Sequence, residues 1–234
     1  LKVKEIKFKI GDSEVRAVVH SNKTPKPTFL NVHDDEDTSV AAGKANIAKF
    51  GGQLIELVHS GERLITFGLG GQKYSFDPNR MFSDAGIKAT LKLRSHYSTI
   101  AHAAIKKFAD EYLAQFALNR EPVILALHNT VDGFFSVASF TPSYYLGAEA
   151  ADVFISPRRS KFDFFFVTDR IFFESLKKLD FNVVLQNNER ATDDGSLSVH
   201  FAKLNIPYIN IEAEMTHLDE QIEMLRAVRK IIGE

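Results

Sequence analysis

From Thr28 onward the chain alternates short apolar runs with longer stretches of helical period, and this alternation constrains the fold more than any other feature. Strands are expected near 28–32, 53–58, 63–67, 123–127, 152–155, 163–167, 182–186 and 207–211, and helices near 39–50, 98–117, 170–179, 197–204 and 217–232. Strands and helices taking turns predict an α/β three-layer sandwich, in which a mixed, mostly parallel central sheet is covered by helices on both faces. Ahead of it, residues 4–20 alternate through Ile6, Phe8 and Ile10, then Val15, Ala17 and Val19, around Gly11-Asp12, which predicts a β-hairpin on the sheet edge. Thr24 to Pro27 reads as a loop. Region 68–95, with Gly68, Gly70, Gly71, Pro78 and Gly86, reads as a long irregular connection, and a loop of that length in a compact domain is more often functional than idle.

The 234 residues suffice for one domain, 1–234, with a sizeable core. Its 29 basic and 30 acidic side chains nearly cancel, which leaves no electrostatic footprint for nucleic acid or an anionic membrane surface. No run of about 18 apolar residues is present to span a bilayer. Cysteine is absent, which excludes disulfides, thiolate metal sites and cysteine nucleophiles, so any metal must be held by histidine and carboxylate. The start at Leu1 and the missing cysteines point towards a removed export signal and a periplasmic or secreted location.

In open α/β sheets ligands bind beyond the carboxyl ends of strands, so polar residues that directly follow apolar runs are candidates for a site. Three sets qualify: His33 and Glu36 after Thr28-Phe29-Leu30, His128 with Asn129 after Val123 to Leu127, and Glu212 with Glu214 after Tyr208 to Ile211. His33 and Glu36 lie in a strand-to-helix turn, with Thr38 or Ser39 as the expected helix cap, and a turn can fold residues three apart onto one point. Each set alone is equally well an acidic loop or a hydrogen-bonded strand-end residue. Taken together, His33, Glu36 and His128 make a two-histidine, one-carboxylate Zn2+ site whose fourth position is open to water. Glu212 then stands nearby as a carboxylate free to move protons.

At these residues the chain resembles the zinc carboxypeptidases, near their aspartoacylase and succinylglutamate desuccinylase branch, over about residues 28–215. His33-Asp34-Asp35-Glu36 is similar to the His-x-x-Glu metal motif, and His128 to the third ligand. Asp77-Pro78-Asn79-Arg80 resembles the Asp-x-Asn-Arg motif, which implies Asn79 and Arg80 as holders of a substrate carboxylate and Asp77 as the residue that orients His33. Gly195-Ser196-Leu197 resembles the family's Gly-Ser-Ile segment, and sixteen positions on from Ser196 stands Glu212, which the resemblance implies as the catalytic glutamate, ahead of Glu214. Where the carboxypeptidases carry a flap tyrosine this chain has Arg190, either a second substrate-binding residue or an exposed loop arginine. For the family's oxyanion arginine, Arg63 and Lys73 are candidates without a motif.

The resemblance implies a zinc-dependent hydrolase of an amide or peptide bond next to a free carboxylate. The substrate it implies is a small peptide, such as a cell-wall peptide, trimmed by a carboxypeptidase, or an N-acyl amino acid cleaved by a deacylase. A catalytically inactive, metal-dependent binding module is the alternative from another class. Other conspicuous stretches read as structure. Phe162, Phe164, Phe165 and Phe166 with Phe172 and Phe173 form a buried strand and the helix on it, Pro157 to Lys161 a solvated loop, and Thr216 with Asp219 a capping box for the last helix.

Overall fold

The computed structural model describes residues 1–131, 133 and 135–233. In chain order the strands are β1 (Lys2–Ile10), β2 (Ser13–Asn22), β3 (Thr28–Asn31), β4 (Gly52–Val58), β5 (Ile65–Leu69), β6 (Gln72–Phe76), β7 (Ile124–Thr130), β8 (Ala150–Phe154), β9 (Phe164–Val167), β10 (Asn182–Gln186) and β11 (Tyr208–Glu214). The α-helices are α1 (Asp37–Phe50), α2 (Asp84–Arg94), α3 (Thr99–Gln115), α4 (Arg170–Lys178), α5 (Leu197–Lys203) and α6 (Leu218–Ile232). Among the described residues, nine strands form one mixed sheet in the order β1-β2-β4-β3-β7-β11-β9-β10-β8. Its centre, β4-β3-β7-β11, is parallel, and antiparallel pairing begins on either side, at β2 with β4 and at β9 with β11.

Alternation along the central strands sorts their side chains into two cores. Phe29, Leu125, Leu127, Ile209 and Ile211 face α1, α4 and α6, which contribute Ile47, Leu176 and Leu225. Leu30, Ile124, Ala126 and Tyr208 face the other way, towards α2, α3 and α5, represented by Leu91, Ile105 and Phe201. Burial on both faces is why these strands read as continuous apolar runs. By the same parity, His128 lies on the face of Ala126, and Asn210 and Glu212 on the face of Tyr208.

The predicted hairpin forms, with β1 and β2 joined at Gly11-Asp12. Lys2, Lys4, Lys7 and Lys9 are exposed along β1, and such charges blunt the free edge of a sheet.

Several expectations need correction. The strand expected at 63–67 lies outside the main sheet, pairing as β5 with β6 in a separate hairpin. Region 68–95 is not irregular: it contains β6, a 3-10 turn at Pro78–Arg80 and the whole of α2. That helix starts where the Ser83 hydroxyl accepts from the Gly86 N–H, and it buries Ile87 and Leu91, one turn apart. β7 and β11 continue three residues beyond their predicted ends, so His128 and Glu212 sit within strands rather than after them. Neither Thr38 nor Ser39 caps α1 with its side chain. The Asn129 side-chain Oδ1, reaching over from β7, accepts from the Ser39 N–H at 2.7 Å. At α6 the cap position is His217, without a side-chain cap, and no box joins Thr216 to Asp219.

Candidate metal centre

β3 ends at Asn31, and the turn that follows brings His33 and Glu36 back over the end of β7. His33, Glu36 and His128 are all buried. Glu36 Oε1 lies 2.8 Å from His33 Nδ1, Glu36 Oε2 lies 3.0 Å from His128 Nδ1, and the two Nδ1 atoms are 3.2 Å apart. Ligand atoms on a tetrahedral zinc with bonds of about 2.0–2.1 Å are separated by roughly 3.3 Å, so this triangle is close to one face of such a site. Among the described residues, this is the group of histidine and carboxylate donors near enough to share one ion.

The hydrogen-bond partners of the rings support the same fit. His33 Nε2 lies 2.9 Å from Asp77 Oδ1, so the neutral ring donates there and turns its Nδ1 lone pair towards His128 Nδ1. Two imidazole nitrogens and a carboxylate that converge to within 2.8–3.2 Å of one another need a positive charge at the point of convergence. Burial opposes protonation of His33, yet Glu36 and Asp77 push its pKa up to about 9. Burial likewise works to raise the Glu36 carboxyl, but His33 and His128 hold it well below the usual carboxylate range. A cation can take the place of that proton. An all-nitrogen-and-oxygen donor set suits zinc and also its neighbours in the first row.

Local hydrogen bonds fix each part. Asp34 Oδ2 accepts from the backbone N–H groups of His59, Ser60 and Gly61 at 2.6, 2.8 and 2.7 Å, pinning the β4–β5 connection against the turn that carries His33 and Glu36. That connection delivers Arg63, whose Nη1 donates to Glu36 Oε1 at 2.9 Å and whose Nε lies 3.7 Å from Asp77 Oδ2. Lys73, the other oxyanion candidate, is exposed on β6 and does not line the cavity. Glu212 is the register partner of His128 across β11 and β7, is buried, and receives a hydrogen bond from Asn210 Nδ2 at 3.0 Å. Burial raises its pKa; the charge of His128 opposes this and that of Glu36 adds to it. Glu214 lies 3.4 Å from His217 and does not line the cavity.

Asn79 and Arg80 follow Asp77 in the 3-10 turn. Asp77 Oδ1 accepts from the Asn79 N–H at 2.8 Å, so one carboxylate holds both this turn and the His33 ring. The turn is stapled to the segment 195–197: Phe82 N–H donates to Gly195 O at 3.0 Å, and Leu197 N–H to Asn79 Oδ1 at 3.0 Å. With its oxygen engaged, Asn79 has its NH2 left to donate. Gly195 has φ +76, and a Cβ there would lie 2.5 Å from Arg80 O. Only glycine fits, which is what the Gly-Ser-Leu segment contributes.

His33, Glu36, Arg63, Asn79, Arg80, His128 and Glu212 all line one cavity of about 680 Å³. Arg190 is not brought to it. The residue is exposed in the loop after β10, where its N–H bonds to Asn187 O. Arg158 and Arg159 are also elsewhere, paired with Asp180 and with Glu223. Several lining residues escaped the sequence reading, among them Phe135, Phe140, Leu146, Glu149 and Asp194, and Phe166 was grouped there with the buried core. Its signal was parity, since Phe165 faces the α1 side and Phe166 the side of the site.

No family model matches the chain by sequence, and no curated protein does. Among solved structures it is similar to an aspartoacylase family protein from Mesorhizobium loti, with a TM-score of 0.51 and 13% identity over 99% of this chain and 67% of that one. It is also similar to a succinylglutamate desuccinylase/aspartoacylase from Rhodobacter sphaeroides, with a TM-score of 0.50 and 13% identity over 99% of this chain and 65% of that one. The chain thus spans about two thirds of the length of these relatives. What it shares with them is the fold, a three-layer α/β sandwich around a mixed sheet.

Proposed function

We propose that the protein is a metal-dependent hydrolase that cleaves an amide bond next to a free carboxylate in a small substrate, an N-acyl amino acid or a short peptide. The observation that carries this reading is the convergence of His33 Nδ1, Glu36 and His128 Nδ1 in a cavity that also holds Glu212 and Arg80. A zinc ion held by His33, Glu36 and His128 would supply Lewis acidity to the scissile carbonyl and lower the pKa of the attacking water.

The chain's own residues account for the remainder. Glu212 accepts a proton from the water whose oxygen attacks the carbonyl carbon, then returns it to the nitrogen as the C–N bond breaks, giving a carboxylic acid and an amine. Its buried setting, which raises the carboxylate's basicity, suits that exchange. Arg63, held beside Glu36, is the cation placed to stabilise negative charge developing on the carbonyl oxygen. Arg80, with its planar fork, and the Asn79 NH2 bind the substrate carboxylate. A cavity of about 680 Å³ matches a small molecule rather than a folded chain, which favours the deacylase form of the reading over trimming of long peptides.

Glu212→Gln tests the assignment. It is expected to keep the metal and lose about two to four orders of magnitude in kcat, the range for a general base. Normal turnover in that variant removes Glu212 from the mechanism.

A further inference from the structure

The cavity changes character across the sheet. One register row runs from His128 on β7 to Glu212 on β11 and on to Phe164 on β9; the adjacent row runs from Ala126 through Asn210 to Phe166. Cross-strand partners share a face, so the strand next to Glu212 presents phenylalanine on the cavity's side of the sheet. Phe140 packs on Phe166 with ring centroids 5.1 Å apart, Phe135 packs on Phe140 at 5.5 Å, and Leu146 joins the same cluster. Phe135, Phe140, Leu146 and Phe166 all line the cavity and give it an apolar wall.

The charges on the lining are one-sided. Among the described residues two arginines and no lysine line it, Arg63 and Arg80. Arg63 is already engaged, 2.9 Å from Glu36 and 3.7 Å from Asp77. Arg80 Nη1 donates to Asn79 O at 2.6 Å and its Nε lies 3.5 Å from Asp194, so its remaining N–H groups are the donors placed for one substrate carboxylate. Asp35, Glu149 and Asp194 line the same space. With the scissile carbonyl at the His33, Glu36 and His128 group and one carboxylate at Arg80, a second carboxylate on the substrate meets acidic side chains and no further lysine or arginine, and a charge taken out of water without a partner is costly. An uncharged ring or branched chain instead meets the phenylalanine wall and loses its contact with water there.

We propose that the cavity selects an amide substrate with one carboxylate and an uncharged aromatic or branched apolar group, and discriminates against acyl amino acids with two carboxylates. This substrate class rests on the hydrolase reading above, and the test separates the two. Zinc-loaded protein is titrated calorimetrically with 3-phenylpropanoate and with succinate, probes that need no turnover. The expected result is at least about tenfold tighter binding of 3-phenylpropanoate, the scale on which apolar pockets discriminate. Phe166→Ala is expected to weaken 3-phenylpropanoate about tenfold and leave succinate unchanged. Phe166→Leu, closer in volume, shows the same direction to a smaller degree and serves if the alanine variant does not fold. Equal or tighter binding of succinate, or no binding of either probe, overturns the proposal. Turnover of N-acetylphenylalanine and N-acetylaspartate is measured in parallel. Hydrolysis of neither, with selective binding of 3-phenylpropanoate intact, overturns the N-acyl amino acid form of the hydrolase reading and leaves the cavity's preference standing.

Discussion

Asp77 carries two tasks with one carboxylate: it receives the His33 Nε2 proton at 2.9 Å and anchors the turn that holds Asn79 and Arg80. Burial works to raise its pKa, but His33, Arg80 and Arg63 keep it well below the usual carboxylate range, so it is a permanent acceptor. A carboxylate behind a ligating histidine fixes the ring's tautomer and raises its basicity. Asp77→Asn is therefore expected to weaken metal binding about 10- to 100-fold, the usual cost of losing such a partner. Competition with a chromogenic chelator measures this, and an unchanged affinity contradicts the role. At this scale the residue types were legible, because three sets of histidine and carboxylate follow apolar runs and, with cysteine absent, these are the side chains left to hold a metal. The position of Arg63 was not. It is set by Asp34 gathering three backbone N–H groups of the β4–β5 connection, a contact between segments about 25 residues apart that no local pattern announces.

At the scale of elements, the segment 195–197 and the 3-10 turn behave as one unit. The close contact of Gly195 with Arg80 O and Gly86 Cα leaves no room for a side chain. Gly195→Ala is expected to lose about 1–3 kcal/mol of stability, the cost of a non-glycine residue in the left-handed region. It is also expected to raise KM, by displacing Arg80, with metal content unchanged. Thermal melts and steady-state kinetics check both, and an unchanged KM separates Arg80 from substrate binding.

The junction of β11 with α6 is held by His217, whose Nδ1 lies 2.9 Å from Asp163 Oδ2, while Asp163 Oδ1 accepts from the Glu214 N–H. Burial works to lower the pKa of His217, but the Asp163 hydrogen bond and charge raise it overall. A histidine with a raised folded pKa adds stability that is complete below its unfolded value of about 6.5 and vanishes as pH climbs through the folded value. The Tm difference between wild type and His217→Gln is thus expected to be larger at about pH 5.5 than at about pH 9. Equal differences would contradict the pairing. Period and parity revealed most elements. α2 was hidden because Gly86, which touches Gly195, interrupts its first turn with a residue that normally argues against helix.

For the whole molecule, the order of three strand ends decided what could be read. The sheet order β3-β7-β11 sets the turn with His33 and Glu36, His128 and Glu212 side by side, although they are distant in sequence. Apolar runs alternating with helices were enough to predict that layering, since parallel strands need crossover helices and both faces must then be covered. Loops that approach the cavity follow no period, which is why Arg190 could be proposed from its position in the chain and yet stand exposed in the structure. The aromatic wall was visible as a phenylalanine-rich strand, but which of its faces meets the site depends on register with β11.

The central claim is that His33, Glu36 and His128 hold one metal ion. Elemental analysis of the purified protein, after incubation with zinc and removal of the excess, tests it most directly, together with His33→Ala checked for folding by circular dichroism. One zinc per chain in the wild type, lost in a folded His33→Ala variant, is the predicted result. A wild type that holds no metal, or a variant that keeps it, would contradict the account.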